Sequence, residues 1–209
     1  MIDLYTWTTP NGRKVSILLE ELGVDYEVHS INIGQGDQNA PDFLKISPNN
    51  KIPAIVDTDN GVTLMESGAI MWYLAEKYGK FLPAGPLDKA KVMEWLMWQM
   101  GGLGPMAGQA HHFLHFNPGK AEYAEERYRA EVKRLYGVLN TQLEGKDYIC
   151  GEYTIADMAC WPWVSRFEWQ EIDLADYPNV RAWYQRLLAR EAVQKGYHVP
   201  KVMGEIPTG

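Results

Sequence analysis

Apolar residues recur along this chain with two different periods. Through residues 1–78, short strand-like runs alternate with stretches at helical spacing. "IDLYT" reads as a strand, and Val15, Leu18, Leu19 and Leu22 then mark one face of a helix. "YEVHSINI" alternates as a strand does, and residues 41–46 suit a short helix before "SPNNK". "IPAIVD" and "VTLME" flank Asp59-Asn60-Gly61, and Asn-Gly between two apolar runs is a strong hairpin signal. A helix from about Ser67 carries Ile70, Tyr73, Leu74 and Lys77 along one side. The order β-α-β-α-β-β-α needs one parallel connection and one hairpin, so it predicts a small mixed sheet covered by helices.

Beyond Gly79 the strand pattern stops. Two glycines and two prolines between Gly79 and Pro86 mark a linker. "KVMEWLMWQM" is apolar on nearly every side, which predicts a helix buried by more than one neighbour, and "GGLGP" then breaks or kinks it. Tyr128, Val132, Leu135 and Leu139 keep a helical stripe through charged surroundings. "TIADMACWPWV" is apolar almost all round and is placed at the centre of its domain. Val180, Trp183, Tyr184 and Leu187 supply one more helix. The expected architecture is an α/β domain over residues 1–79, a linker over 80–87 and an all-helical domain over 88–209. The closing "YHVPKVMGEIPTG" has no helical period and is expected to wrap the surface or fray.

Composition narrows the function classes. The 209 residues are 46% hydrophobic with 8 Trp and 12 Tyr, which indicates a folded protein rather than a disordered one. A formal charge of −7 and a pI of about 5.3 speak against nucleic acid or an anionic membrane surface as partner. No apolar run has the length of a membrane span, and "MIDLYTW" lacks the basic start and apolar core of a signal peptide, so a cytoplasmic location is expected. Cys150 and Cys160 have neither the spacing of a redox pair nor the partners of a zinc site; they read as small structural hydrophobes. His111 and His115 in "HHFLH" stand one helical turn apart, but two histidines do not complete a catalytic metal set, and no metal is expected.

Three stretches of the first domain carry candidate chemistry. In Lys51-Ile52-Pro53-Ala54 a proline opens a strand. With Ile52-Pro53 cis, the Ile52 backbone would pair with a peptide-like ligand in strand fashion; with it trans, Pro53 merely begins an edge strand, as base rates favour. Glu66-Ser67 heads a helix, where free N–H groups and the Ser67 hydroxyl suit a carboxylate and Glu66 suits an ammonium; an ordinary N-cap is the competing reading. Thr9-Pro10-Asn11-Gly12 makes sense as a helix cap alone, yet the same helix end would stabilise a bound thiolate, with Thr9 and Asn11 as donors and Tyr5 as a rival.

These stretches occur together in "TPNGRKV", "SPNNKIPAIVD", "LMESGAIMWYLAEKYG", "WQMGGLGPM" and "YTIADMACWPWV". In them the chain resembles the cytosolic glutathione transferases over essentially its whole length, and within them the bacterial nu class. The resemblance implies a thioredoxin-like first domain with Pro53 cis, Ile52 paired to the cysteinyl backbone of glutathione, and Glu66 and Ser67 on its γ-glutamyl end. It also implies that Gln38 and Lys51 help bind the tripeptide, and that Thr154 and Asp157 form a capping box with no part in catalysis. For the nu class it implies a glutathione-dependent disulfide reductase that needs no protein cysteine, with one or two glutathiones per site, Thr9 and Asn11 near the sulfurs and Arg127 on the second glutathione. From the residues alone, "EERYRAEVKR" reads Arg127 as part of a solvated face, with Glu125 and Arg129 at pairing distance. A homodimer is implied as well, with the "KVMEWLMWQM" helix a candidate interface. Conjugation of glutathione to electrophiles and a non-catalytic glutathione-binding role are the alternatives.

Overall fold

The computed structural model describes residues 1–209, which separate into two compact units. The first comprises Met1–Lys80 with Ala189–Ile206, the second Phe81–Leu188 with Pro207–Gly209.

The first unit is built on a four-stranded sheet of β1 (Ile2–Thr6), β2 (Tyr26–Ser30), β3 (Ala54–Asp57) and β4 (Val62–Met65), in the order β2-β1-β3-β4. β1 and β2 run parallel through α1 (Pro10–Leu22); β3 is antiparallel to both β1 and β4. α2 is Pro41–Ile46, and α3, Ser67–Tyr78, begins two residues after β4 ends. Ile2 and Leu4 are fully buried with Val15, Leu18, Ile70, Met71 and Leu74 of α1 and α3. Alternation sends Tyr5 to the opposite face, where it lies 6.3 Å from the ring of Phe43 on α2. Asp57, buried at the hairpin end of β3, accepts hydrogen bonds from Tyr73 (2.5 Å) and Lys77 (2.5 Å) and so ties α3 to the sheet.

The register gathers one set of loops at one end of this sheet. Ala54 pairs with both Tyr5 and Met65, so the residues after β1, before β3 and after β4 share that end. The segment after β2 leaves from the same end, because β2 is parallel to β1. That single feature brings Thr9, Ile52-Pro53, Glu66-Ser67 and the loop bearing Gln38 into one neighbourhood.

The C-terminal stretch departs from its expected place in the helical domain. Within residues 189–206, α9 (Glu191–Tyr197) packs on α1. Ser16 donates to the Gly196 carbonyl (2.6 Å), and the buried Arg13 guanidinium lies 3.6 Å from the centre of the Tyr197 ring. A methyl group on Gly196 would sit 2.5 Å from Ile17 Cα, so only glycine permits this approach. Beyond α9, Pro207–Gly209 is tied to the second unit by the Tyr184 hydroxyl bonding the Pro207 carbonyl (2.5 Å).

The second unit is helical: α4 (Pro86–Trp98), α5 (Gly104–Ala110), α6 (Glu122–Gln142), α7 (Ile155–Val164) and α8 (Pro178–Leu188). All residues of α7 are buried, and its Trp161 stacks on Tyr184 and donates to the Tyr184 carbonyl (3.0 Å). The expected break at "GGLGP" is a π-helical turn, Gln99–Leu103, that passes directly into α5. Contrary to expectation, the "KVMEWLMWQM" stretch is not enclosed: Val92, Leu96 and Gln99 are buried, while Met97 is 51% exposed; Leu87, before it on α4, is 82% exposed. Its apolar character is spread around the helix, with Met93, Trp95 and Trp98 half-buried between these extremes. No helix is long and apolar enough to cross a membrane.

Candidate glutathione site

Thr9 is the N-cap of α1. Its backbone is extended and its hydroxyl oxygen accepts the Gly12 N–H (3.2 Å), which leaves the Thr9 proton available to a ligand. Pro10 occupies the first helical position and Asn11 the second, half-buried. A Cβ on Gly12 would stand 2.3 Å from the Trp7 carbonyl oxygen, so the helix end sits hard against the loop leaving β1. Tyr5, the rival donor, stacks on His29 (4.5 Å between centroids). Burial, reinforced by the charges of Asp3 and Glu27, holds its hydroxyl above the ordinary value of 10.0.

The Ile52-Pro53 peptide is cis. Ile52 lies just outside β3, and no hydrogen bond of the chain takes up its N–H or C=O. Both groups therefore remain available to an extended peptide, the mode by which a strand is added to a sheet edge. Next to it, Lys51 is exposed, and its carbonyl receives the Ser47 hydroxyl (2.8 Å).

Across the sheet end, Glu66 precedes α3 with φ +69° and ψ 111°. A glutamate in this region costs on the order of 1–3 kcal/mol, a strain that tends to persist at binding sites. It leaves the Glu66 side chain exposed, within reach of Asn49 Nδ2 (3.5 Å), while Ser67 is 3% exposed at the first turn of α3. The Ser67 oxygen lies 3.4 Å from Nζ of Lys14, which is itself 1% exposed.

Gln38 belongs to a 3-10 turn, Asp37–Asn39, and Asn50, at φ +59°, bonds Asn39 Oδ1 through its amide (2.9 Å). Gln38 Oε1 and Asn50 Oδ1 are shielded from solvent with no hydrogen-bond partner in the chain. Two such acceptors suit a ligand that brings N–H groups. Sequence reasoning missed Lys14, Asn49 and Asn50. For Lys14 a signal existed: α1 carries Arg13 and Lys14 near its N-terminus and Glu20 and Glu21 near its C-terminus, opposite to what the helix dipole favours.

Arg127 lies on α6 in the second unit, exposed, beside a surface hollow of about 610 Å³ lined by Met106, Tyr123, Tyr128 and Arg134 among others. No carboxylate of the chain pairs with it. The pairing read from helical spacing is not formed either: Arg129 binds Glu171 (2.6 Å), and Glu125 accepts the Ala121 N–H (3.3 Å).

Cys150 and Cys160 are both free thiols of the second unit. Burial, with the charge of Asp157 behind it, pushes Cys150 up to about 11, so at neutral pH it is a thiol rather than a nucleophilic thiolate. The rings of His111 and His115 stack on Trp163 and Trp169 respectively, which places both in aromatic packing. Asp3, Glu27 and His29 each bring one ligand-type atom within 4.8 Å of the others, a set that is half-exposed on the sheet face.

Family models agree with this geometry. Residues 1–76 match the glutathione S-transferase N-terminal domain and residues 103–191 the C-terminal domain. Disulfide-bond oxidoreductase YfcG of Escherichia coli is 53% identical over 92% of both chains, and YghU of the same organism is 40% identical over 98% of this chain and 77% of its own. A glutathione transferase of Pseudomonas putida, solved with one glutathione disulfide per subunit, superposes with a TM-score of 0.90 at 43% identity, covering 95% of this chain and 91% of that one. The chain belongs to the glutathione S-transferase family.

Proposed function

We infer that the protein is a glutathione-dependent disulfide-bond reductase whose thiols arrive with the ligand. One observation carries this reading. The helix cap, the cis-proline edge and the Glu66-Ser67 turn converge at one sheet end, and the unit that holds them contains no cysteine. The two Escherichia coli relatives are named disulfide-bond oxidoreductases, and a Burkholderia graminis relative, 43% identical, was solved with two glutathione molecules per subunit.

In the proposed reaction, the thiolate of a bound glutathione attacks one sulfur of the substrate disulfide. A glutathione mixed disulfide forms and one substrate thiolate leaves, taking up a proton. A second glutathione thiolate then attacks the glutathione sulfur, releasing the other substrate thiol and glutathione disulfide. Two electrons pass from two glutathiones to the substrate, and the exchange balances without a metal. Thr9 and Asn11 donate to the thiolate at the positive end of α1. Ile52 pairs with the cysteinyl backbone beside Pro53, Glu66 and Ser67 hold the γ-glutamyl end, and Gln38 and Lys51 help bind the tripeptide. Arg127 is assigned to a carboxylate of the second glutathione, supported by its freedom from internal ion pairs.

The nu class and a homodimer belong to the same reading. The exposed Leu87 and Met97 on α4 favour a second copy as cover. Two free cysteines suit the reducing cytoplasm.

The test is steady-state turnover of a small dialkyl disulfide, coupled to glutathione reductase, beside conjugation of an activated aryl halide. Disulfide turnover should dominate, survive Cys150→Ala/Cys160→Ala and fall about tenfold or more in Asn11→Ala, the scale of one lost charge-assisted bond. Dominant conjugation would replace this reading with a transferase. Loss of turnover in the double cysteine variant would return the chemistry to a protein thiol.

A further inference from the structure

Three side chains on one face of the sheet form a cluster that the glutathione reading does not use. In the parallel register of β1 and β2, Asp3 stands beside Glu27 and Tyr5 beside His29. Ile2 and Leu4 point into the core, so alternation turns Asp3 and Tyr5 to the opposite face. There one carboxylate oxygen of Asp3, one of Glu27 and a ring nitrogen of His29 lie within 4.8 Å of one another. Two carboxylates side by side on neighbouring strands repel, and no lysine or arginine of the chain pairs with either. His29 Nε2 is shielded from solvent and has no hydrogen-bond partner; its distance to Asp3 Oδ1, 4.0 Å, is too long for a hydrogen bond. The Tyr5 ring, stacked on the imidazole at 4.5 Å, keeps that nitrogen turned toward the carboxylates.

We propose that Asp3, Glu27 and His29 bind a divalent cation of the zinc type, which fastens the edge strand β2 to β1. The inference stands apart from the glutathione reading, since none of the three residues is assigned to the tripeptide. One imidazole nitrogen and two carboxylate oxygens are a donor set that suits zinc. With its proton on Nδ1, the His29 ring presents a lone pair at Nε2. A zinc ion is smaller than a water molecule, so it can satisfy a nitrogen that solvent does not reach, and its double charge offsets the repulsion between the carboxylates. Tetrahedral zinc, with bonds of about 2.0–2.1 Å, holds its ligand atoms about 3.3 Å apart. The exposed Glu27 side chain is free to swing inward by the remaining distance, and its solvent side leaves room for water as the fourth ligand. β2 pairs with β1 alone, so the ion joins the edge strand to its one neighbour. Binding that only the folded strands offer adds to stability.

The experiment titrates zinc chloride into the full chain by calorimetry, in buffer free of glutathione and other thiols. The parent is compared with His29→Gln, Asp3→Asn and Glu27→Gln. The parent should show a binding event that each variant weakens by at least about tenfold, the least that even an outer partner of a metal ligand is worth. Thermal unfolding supplies a second readout. Without zinc, Asp3→Asn and Glu27→Gln should unfold no lower than the parent, because one of two neighbouring like charges is gone. Saturating zinc should raise the Tm of the parent and leave that of the three variants in place. Absence of zinc binding by the parent overturns the proposal. So does an event that any of the three variants retains within about threefold, which would assign the ion to other histidines or to the cysteines. Should a variant not fold, ring-nitrogen resonances of the parent give the same decision. Zinc should move Nε2 of His29 and leave Nδ1 protonated, whereas an unmoved His29 leaves a plain, weak contact with Asp3 and overturns the site.

Discussion

Gly12 shows how much of the site depends on a single missing atom. The N-terminus of α1 approaches the loop after β1 so closely that a Cβ would stand 2.3 Å from Trp7 O and 2.5 Å from Thr6 Oγ1. The backbone oxygen has no rotamer by which to yield, so Gly12→Ala must move either the helix or the loop. We expect a loss of about 1–3 kcal/mol, the usual cost of overpacking, measured by denaturant unfolding. Glutathione binding should weaken as well, because Thr9 caps this same turn. A Gly12→Ala variant of parental stability and affinity would contradict the close contact. Gly12 is visible in the sequence only as a turn residue; its neighbours Trp7 and Thr6 become clashing partners only once β1 and α1 are in place. Thr9 and Pro10, by contrast, were legible as a helix start, since the cap joins Thr9 to an N–H only three residues on.

At the scale of elements, the sheet end is assembled by pairing rules that the sequence carries openly. The Asn60-Gly61 hairpin sets β3 against β4, and a parallel β1-α1-β2 unit needs a crossover helix, which α1 supplies. Holding α3 in place is less visible. Lys77, in its last turn, meets the fully buried Asp57 (2.5 Å) and the exposed Asp59 (2.7 Å). Removing Lys77 leaves the Asp57 carboxylate buried with only neutral donors, the Tyr73 hydroxyl and the Asp59 N–H. Lys77→Met should therefore cost about 3 kcal/mol of unfolding free energy, near the lower bound for breaking a buried pair, because Lys77 is itself 21% exposed. The Asp57→Asn/Lys77→Met double variant should recover part of that loss, since no uncompensated charge remains. Thermal and denaturant unfolding of the three variants give the comparison. A cost no larger than that of a surface pair, below about 1 kcal/mol, would remove this latch from the account of how α3 is held.

For the molecule as a whole, stability should fall on acidification through a histidine outside the candidate site. Burial, followed by the charges of Arg166 and His115, lowers His111 from its ordinary value of 6.5 to about 4. Its Nε2 lies 3.0 Å from the Gln170 amide nitrogen, which acts as a donor to the neutral ring. The folded state therefore binds this proton less readily than the unfolded state. Stability from the group is complete above pH 6.5, declines as pH falls through the window from 6.5 to 4 and is lost below it. The full loss is on the order of 3 kcal/mol. His111→Gln should flatten unfolding free energy against pH across that window, measured by urea titrations at intervals; an unchanged slope would place the titration elsewhere.

What the sequence determined by itself was local and periodic: strand against helix, the hairpin, the caps, a fully buried α7 and the candidate residues of the first domain. These rest on interactions between residues a turn or a strand apart, so their signals are contiguous. The tertiary structure alone decided what depends on distant partners. It buried Lys14 against Ser67, gave Arg129 to Glu171 rather than Glu125, left α4 partly exposed and returned α9 to α1. A charged side chain has the same sequence signature whether it ends in water or in the interior. Only the packing of elements brought from far along the chain settles its surroundings.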